Sequence, residues 1–174
     1  MGQTFYRDRW YRIYENGSPP TTVIQMADAV MAVPLTAGGS VLFTVEYSPA
    51  FDESVLILPG GGIEAGETPA QAINRELQEE AGYKAGRLDL LGVLCPFIKY
   101  LNQRITVYLA RDLQPSRLPA DESFEIGVEA VPLAGVDALI AAGRVRDCIV
   151  IASLCLARTF LAQTPGAEDQ PGRM

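Results

Sequence analysis

The stretch that begins at Gly61 and reads GGIEAGETPAQAINRELQEEAGY constrains this chain more than any other part of the sequence. Thr68 can cap a helix through its hydroxyl, and Gln71 stands three residues later, where the second member of a capping box belongs. A proline occupies the first helical turn, where its fixed φ is favourable. Gly82 is a natural C-terminal stop. The sequence therefore predicts a helix over Pro69–Ala81.

The two faces of this predicted helix differ in chemistry. One face carries an apolar stripe at helical spacing, made of Ala70, Ile73, Leu77 and Ala81. Glu76, Glu79 and Glu80 project to another side at i, i+3 and i+4, and Glu80 lies next to the stripe. A solvated acidic face is the alternative, but it explains neither that position nor the glycine-rich entry PGGGIEAGE. Clustered carboxylates that repel one another suit Mg²⁺ or Mn²⁺, so the pattern indicates a metal site.

The same stretch resembles the signature of the Nudix hydrolase family. The matching positions are Gly61, Glu67, Arg75, Glu76, Leu77, Glu79, Glu80 and Gly82. Tyr83 follows them where the family usually has an aliphatic residue. Because so many fixed positions fall in one register, the match is far more specific than a lone glycine-rich motif. The resemblance implies a divalent-metal hydrolase that cleaves a nucleoside diphosphate linked to another group.

The resemblance also implies roles for individual residues of the motif. The expected ligands of Mg²⁺ or Mn²⁺ are Glu76 and Glu80, with Glu79 completing the cluster and the carbonyl of Gly60 contributing. Arg75 is expected to orient Glu79 and not to touch substrate. Glu67 is expected to anchor the glycine loop to the helix.

Candidates for the general base and for substrate contacts lie outside the motif. The acidic loop of Asp121, Glu122 and Glu125 supplies carboxylates where the ADP-ribose pyrophosphatase branch of the family often carries one, and Glu122 is the candidate base. An ordinary polar loop is an equally good interpretation. Tyr47, Phe97 and Tyr100 are candidates to stack on a nucleobase, although core or surface packing also explains them. Arg104 could hold a phosphate, or it is a surface charge at a strand end.

Composition limits the class of protein. The chain has 174 residues, which suits one domain, and 48% of them are hydrophobic, enough for a substantial core. A net charge of −7 argues against binding to a nucleic-acid backbone. The chain has no histidine, which excludes a histidine base and a histidine-ligated zinc.

The cysteines and the N-terminus predict a cytoplasmic protein. Cys95, Cys148 and Cys155 each lie in an apolar run, so we expect buried free thiols in a reducing compartment. The N-terminal sequence MGQTFYRDRWYR has no apolar region of the kind that a signal peptide needs. No apolar run reaches membrane-spanning length, so no membrane association is expected.

Three regions are expected along the chain: an N-terminal hairpin (1–28), a hydrolase domain (29–162) and a disordered tail (163–174). Asn16-Gly17 is a strong hairpin turn, with Thr21–Met26 as the returning strand. The further predicted strands are Ala29–Leu35, Ser40–Tyr47, Ser54–Leu58, Leu88–Leu94, Arg104–Leu109 and Ile126–Val131, and the further helices are Val136–Ala142 and Cys148–Leu161. Strands interleaved with helices predict an α/β fold with a sheet between helices. The resemblance implies the family's α/β/α sandwich with a mixed sheet.

The order of these elements resembles the ADP-ribose pyrophosphatase branch of the family, which includes hydrolases of ADP-linked compounds. The likeness runs over Ala29–Leu161. Three positions differ from the residues that are common in this branch, namely Ile57, Ser48 and the pair Gly60-Gly61. It implies cleavage of ADP-ribose or a related nucleotide sugar to a nucleoside monophosphate and a sugar phosphate, and a homodimer paired through the N-terminal hairpin. The alternatives are hydrolysis of nucleoside triphosphates or dinucleoside polyphosphates, and a non-catalytic nucleotide sensor. The intact glutamates argue against a sensor.

Overall fold

A computed structural model of the protein describes residues 3–119 and 126–163. The strands are β1 (Thr4–Arg7), β2 (Tyr11–Asn16), β3 (Thr21–Met26), β4 (Ala29–Pro34), β5 (Ser40–Ser48), β6 (Glu53–Ile57), β7 (Gly60–Gly62), β8 (Tyr83–Leu94), β9 (Leu101–Asn102), β10 (Ile105–Pro115) and β11 (Gly127–Pro132). The helices are α1 (Pro69–Glu76), which continues as a π-helical turn (Leu77–Ala81), then a 3₁₀ turn (Leu133–Gly135), α2 (Val136–Ala141) and α3 (Cys148–Gln163).

The central sheet is mixed, as the resemblance to the Nudix family implies. Its strand order is β7-β4-β10-β8. β4 and β10 run parallel, with Ala29 opposite Ile105, whereas β7 and β8 pair antiparallel with their neighbours. A parallel pair of this kind requires a long crossover connection, and the chain between β4 and β10 includes α1.

Helices cover both faces of this sheet. Alternate residues of a strand point to opposite faces, so Val30 and Ala32 of β4 pack with α1 while Val33 packs in the cluster that holds α3. On the α1 side, Ile73 and Leu77 are fully buried, which contributes about 1.5–3 kcal/mol for each side chain. The α/β/α sandwich expected from the resemblance is therefore confirmed.

Two smaller sheets complete the fold of residues 3–119 and 126–163. One is antiparallel with the order β11-β5-β6, and the other has the order β1-β2-β3-β9. The expected hairpin after Asn16 is present and joins β2 to β3. The segment before it contains two strands, because the Asp8 carboxylate accepts hydrogen bonds from the backbone N–H groups of Trp10 and Tyr11 and turns the chain. The predicted hairpin is thus a three-stranded meander that also pairs with β9.

The predicted burial of the cysteines is wrong. Cys95, Cys148 and Cys155 are all exposed free thiols. Cys95 follows the last residue of β8, Cys148 is the first residue of α3, and Cys155 lies off the buried stripe of α3. An apolar run predicts burial of an element, but it does not show which of its positions face the solvent.

Two further expectations concern the end of the chain and membranes. Gln163, expected to begin the disordered tail, is the last residue of α3, and residues 164–174 lie outside the described residues. Among the helices in the described ranges, none is long and apolar enough to cross a membrane.

Candidate active site

The start of α1 is fixed by the local signals that the sequence contains. Thr68 caps the helix, accepting a hydrogen bond at Oγ1 from the Gln71 N–H over 3.3 Å. The Gln71 side chain in turn accepts from the Thr68 N–H over 2.9 Å, which completes the capping box. The predicted helix forms along its whole length, although its last turn is π-helical and not α-helical. The cap and the buried apolar stripe together set the direction in which the charged residues project.

The glycine strand β7 lies beside this helix and presents backbone groups to it. The N–H of Gly60 donates to Oε2 of Glu80 over 3.0 Å. The carbonyl of Gly62 accepts from Nη2 of Arg75 over 3.0 Å. In an extended strand the N–H and C=O of one residue leave the same edge, so the Gly60 carbonyl also points to the helix side. We therefore expect a backbone oxygen next to the glutamate cluster.

Close approach explains why glycine occupies two of these positions. A Cβ at Gly60 would lie 2.3 Å from the Val30 carbonyl oxygen, which belongs to the neighbouring backbone. A Cβ at Gly61 would lie 2.2 Å from Oε1 of Glu76. At Gly62 a Cβ would meet nothing within 4 Å. The tight contact is therefore confined to the two glycines nearest the carboxylates.

We expect Gly60→Ala to destabilise the protein by about 1–3 kcal/mol, because the added methyl group forces β7 away from β4. The matched control is Gly62→Ala, where there is room for the methyl group. Urea unfolding of both variants measures the difference. Equal stability of the two variants would contradict the role assigned to close packing at Gly60.

Arg75 is the centre of an ion-pair network, and all five of its N–H donors are used. Nε donates to Oε1 of Glu67 at 3.0 Å, and Nη2 donates to Oε2 of the same carboxylate at 3.1 Å. Nη1 donates to Oε1 of Glu76 and to Oε2 of Glu79, both at 2.9 Å. The fifth donor is taken by the Gly62 carbonyl. A guanidinium has five donors, so in this arrangement Arg75 binds protein atoms with every one of them.

The network shifts the protonation equilibria of its members. The hydrogen bond from Arg75 lowers the pKa of Glu67 below its ordinary value, and a hydrogen bond from the Glu64 N–H acts in the same direction. The pKa of Arg75 is raised, with the hydrogen bond to Glu67 as the largest cause. Arg75 and Glu67 are therefore held as a charged pair that links the loop before α1 to the helix.

The donor chemistry of the cluster fits a hard divalent cation. Glu76 is 5% exposed and Glu80 is 3% exposed, which is unusual for carboxylates. One guanidinium cannot balance the charges of Glu67, Glu76, Glu79 and Glu80, and burying like charges is costly. Carboxylate and carbonyl oxygens are the ligands that Mg²⁺ and Mn²⁺ prefer. Across residues 3–119 and 126–163, no three acidic or cysteine side chains already converge as a metal cage, so the cluster is a suitable set of ligands and not a preformed site.

The structure brings Arg75, Glu76, Glu79, Glu80 and Gly60 into one cluster and places the other candidates elsewhere. Tyr47 lies on β5 and its hydroxyl donates to Oδ1 of Asp52 over 2.6 Å. Phe97 is 77% exposed in the loop between β8 and β9. Arg104 directly precedes β10, which is two strands away from β7 in the central sheet. The backbone N–H of Arg104 donates to Oδ1 of Asp28. Glu122 lies outside the described residues, as do its neighbours Asp121 and Glu125.

Sequence reasoning missed two groups that contact the motif. The Gly62 carbonyl is a partner of Arg75, and no side-chain pattern reveals a backbone acceptor. The second is Gln78, which lies between the glutamates and bonds to Ser116 over 2.8 Å. A glutamine on a polar helix face carries no sequence signal, so only the fold identifies this contact.

Comparison with known proteins decides the family. A family model described as the NUDIX domain matches residues 26–148. The chain belongs to the Nudix family. It is 30% identical over 150 residues to the ADP compounds hydrolase NudE of Escherichia coli (strain K12), covering 86% of this chain and 77% of that protein. It is 25% identical over 108 residues to the ADP-ribose pyrophosphatase of Bacillus subtilis (strain 168), covering 60% of this chain and 58% of that protein.

The fold is also similar to that of a solved Nudix relative. The crystal structure of an ADP compounds hydrolase matches with a TM-score of 0.83 and 26% identity, covering 94% of this chain and 92% of that one. This Nudix protein is therefore a hydrolase related to enzymes named for ADP compounds and ADP-ribose. The charged residues of its signature that cluster, Arg75, Glu76, Glu79 and Glu80, lie on α1 and the π-helical turn, beside β7.

Proposed function

We propose that this Nudix hydrolase cleaves the pyrophosphate of ADP-ribose or a related ADP compound, with Mg²⁺ or Mn²⁺, to AMP and a sugar phosphate. The observation that carries the proposal is the cluster of Glu76, Glu79 and Glu80 beside the Gly60 backbone. The names of the two relatives and of the structural neighbour support an ADP-linked substrate.

In such a reaction, different residues of this chain would have different roles. Glu76, Glu79, Glu80 and the Gly60 carbonyl would hold the cation. When bound, the cation supplies positive charge to the pyrophosphate oxygens and lowers the pKa of a bound water. Arg75 keeps Glu76 and Glu79 in place through the two hydrogen bonds of its Nη1 group. Glu122, outside the described residues, remains the candidate general base.

We propose that the candidate residues identified from the sequence contact the substrate. Arg104 lies two strands from β7, a lateral distance of about 10 Å, which a diphosphate and its flanking sugar can span. Phe97 and Tyr47 expose aromatic surface on which a nucleobase could stack, since Phe97 is 77% and Tyr47 is 46% exposed. These two aromatic residues lie in different parts of the fold, so loss of binding on mutation of each would show which one is used.

Steady-state kinetics on a panel of nucleotides tests the substrate. The panel holds ADP-ribose, other ADP sugars, nucleoside triphosphates and diadenosine polyphosphates, each with Mg²⁺. We expect the largest kcat/KM for an ADP sugar, with AMP as a product. A larger kcat/KM for a nucleoside triphosphate would overturn the substrate and leave the hydrolase intact, whereas binding without turnover of any compound would favour a nucleotide sensor.

Removal of divalent cations is expected to abolish turnover, because the bound cation would supply the positive charge that offsets the charge developing on the pyrophosphate. Activity should return with added Mg²⁺ or Mn²⁺ and should rise from acidic to neutral and alkaline pH, as bound water loses its proton more readily. Product formation after exhaustive EDTA treatment measures the effect. Full activity without metal would contradict the proposed ligand set.

We also propose that the protein is a homodimer paired through the N-terminal sheet. That sheet and the loop after β8 expose a group of large apolar side chains, namely Phe5, Tyr6, Trp10, Tyr11, Ile24, Phe97, Ile98 and Tyr100. Several of them line an apolar groove of about 400 Å³. Contiguous exposed apolar surface of this kind is typical of protein interfaces. The symmetric partner, a second copy of this chain, would cover it. Phe97 would then be buried in the interface, which leaves Tyr47 as the exposed candidate for a nucleobase.

Phe97→Asp is expected to convert the dimer to a monomer, because it places a charge in the middle of this surface. Phe51→Asp is the matched control: Phe51 is 71% exposed and Phe97 is 77% exposed, but Phe51 lies in the connection between β5 and β6. Light scattering of the three proteins measures the mass. A monomeric wild-type protein, or a dimer that survives Phe97→Asp, would exclude this interface.

A further inference from the structure

A short segment after β10 binds the C-terminal end of the helix that carries the glutamates. This segment, residues 116–119, is called the strap below. The Ser116 N–H donates to the Gly82 carbonyl over 2.9 Å, and the Leu118 N–H donates to the Gln78 carbonyl over 3.2 Å. The Ser116 hydroxyl donates to Oε1 of Gln78 over 2.8 Å. The strap therefore holds the helix at Gln78 and Gly82, on either side of Glu79 and Glu80.

The strap coincides with the change from α-helix to π-helix. The Gly82 N–H donates to the Leu77 carbonyl, five residues back. In an α-helix its acceptor would be the Gln78 carbonyl, which here accepts from Leu118 instead. The Gln78 side chain adds a bond of its own, since Nε2 donates to the Asn74 carbonyl over 2.6 Å. Gln78 thus links the α-helical part, the π-helical turn and the strap.

The wider turn sets the direction of Glu80. In a regular α-helix, residues four apart lie nearly above one another, whereas an i→i+5 turn displaces them around the axis. In this position Oε2 of Glu80 accepts from the Gly60 N–H at 3.0 Å. Glu80 is 3% exposed there, so its placement depends on backbone geometry and not on a solvent-exposed rotamer. Single π-helical turns of this kind occur frequently at functional sites.

We propose that Gln78 is a positioning residue, which holds the π-helical turn against the strap so that Glu80 meets the Gly60 backbone. Ser116 is its partner in this role. The inference rests on the proposed function only for its effect on catalysis, since the contact between Glu80 and Gly60 can be measured without substrate or metal.

The first test observes that contact directly. Gln78→Met keeps the length of the side chain and removes its hydrogen bonds, and Ser116→Ala removes the hydroxyl alone. In both variants we expect the amide resonance of Gly60 to shift and its hydrogen exchange to accelerate, while the amide of Ile73 in α1 stays protected. Ser116→Thr retains a hydroxyl and should keep the wild-type resonance of the Gly60 amide. If Gln78→Met fails to fold, Ser116→Ala still tests the proposal.

The second test measures metal binding and turnover. Groups that orient metal ligands typically contribute about 10- to 100-fold to metal affinity or activity, so we expect at least a tenfold loss of Mn²⁺ affinity by electron paramagnetic resonance in each variant. kcat should fall with little change in KM. The double variant should lose less than the sum of the two single losses, since both break one link.

Thr159→Ala is the matched control. Thr159 donates to the Cys155 carbonyl four residues back on α3, the same kind of bond that Gln78 makes to Asn74. It should change neither the Gly60 amide nor the Mn²⁺ affinity. A folded Gln78→Met protein with a wild-type Gly60 resonance and wild-type Mn²⁺ affinity would overturn the proposal. A wild-type protein inactive on every nucleotide would refute the proposed function and leave the Gly60 measurement valid.

Discussion

Glu80→Gln is expected to abolish turnover while the protein remains folded. The amide is nearly isosteric with the carboxylate, and its oxygen can still accept the hydrogen bond from the Gly60 N–H. It cannot supply the negative charge that a divalent cation requires. Losing one charged ligand should cost at least about 10³-fold in kcat/KM, or ~4 kcal/mol of transition-state stabilisation.

Kinetics at saturating Mg²⁺, together with circular dichroism to show the fold, measures this effect. Glu64→Gln is the matched control, because Glu64 is an exposed acid in the loop that leads into α1. It should retain wild-type activity. A Glu80→Gln protein that turns over near the wild-type rate would remove Glu80 from the proposed metal ligands.

Arg75→Met is expected to destabilise the protein by about 3 kcal/mol, because breaking a buried ion pair leaves its partners uncompensated. The side chain of Arg75 is 19% exposed, and those of its partners Glu76 and Glu79 are 7% and 13% exposed. Arg75→Lys should recover little of the loss, since an ammonium group cannot reproduce the five donors of the guanidinium fork. Turnover should fall in both variants as the carboxylates lose their fixed positions.

Urea unfolding compares these variants with Arg144→Met, which removes an ion pair with Glu129 whose side chains are 53% and 36% exposed. An exposed pair contributes about 0–1 kcal/mol, so this control should stay close to the wild type. If Arg75→Lys were as stable as the wild type, the forked geometry would not be the source of the stability.

The sequence alone determined those features that depend on neighbours in the chain. Thr68 and Gln71 cap α1 within one turn, and the stripe of Ile73 and Leu77 needs only helical spacing to predict a buried face. The family signature was recognisable for the same reason, because its fixed positions lie within one continuous stretch. The alternation of strands and helices likewise predicted a sheet between helices, and the resemblance to the family added that the sheet is mixed.

The tertiary structure decided the contacts between residues distant in sequence. It alone shows that Gly60 meets Glu80, that the Gly62 carbonyl completes the donors of Arg75, and that Gln78 is tied to Ser116. These contacts involve backbone groups or an inconspicuous glutamine, which have no periodicity to detect. The exposure of the three cysteines was also decided by the tertiary structure, because their surroundings depend on how α3 and the strands pack. Local patterns specify elements and their buried faces, but the partner of each polar group is set only when separate elements meet.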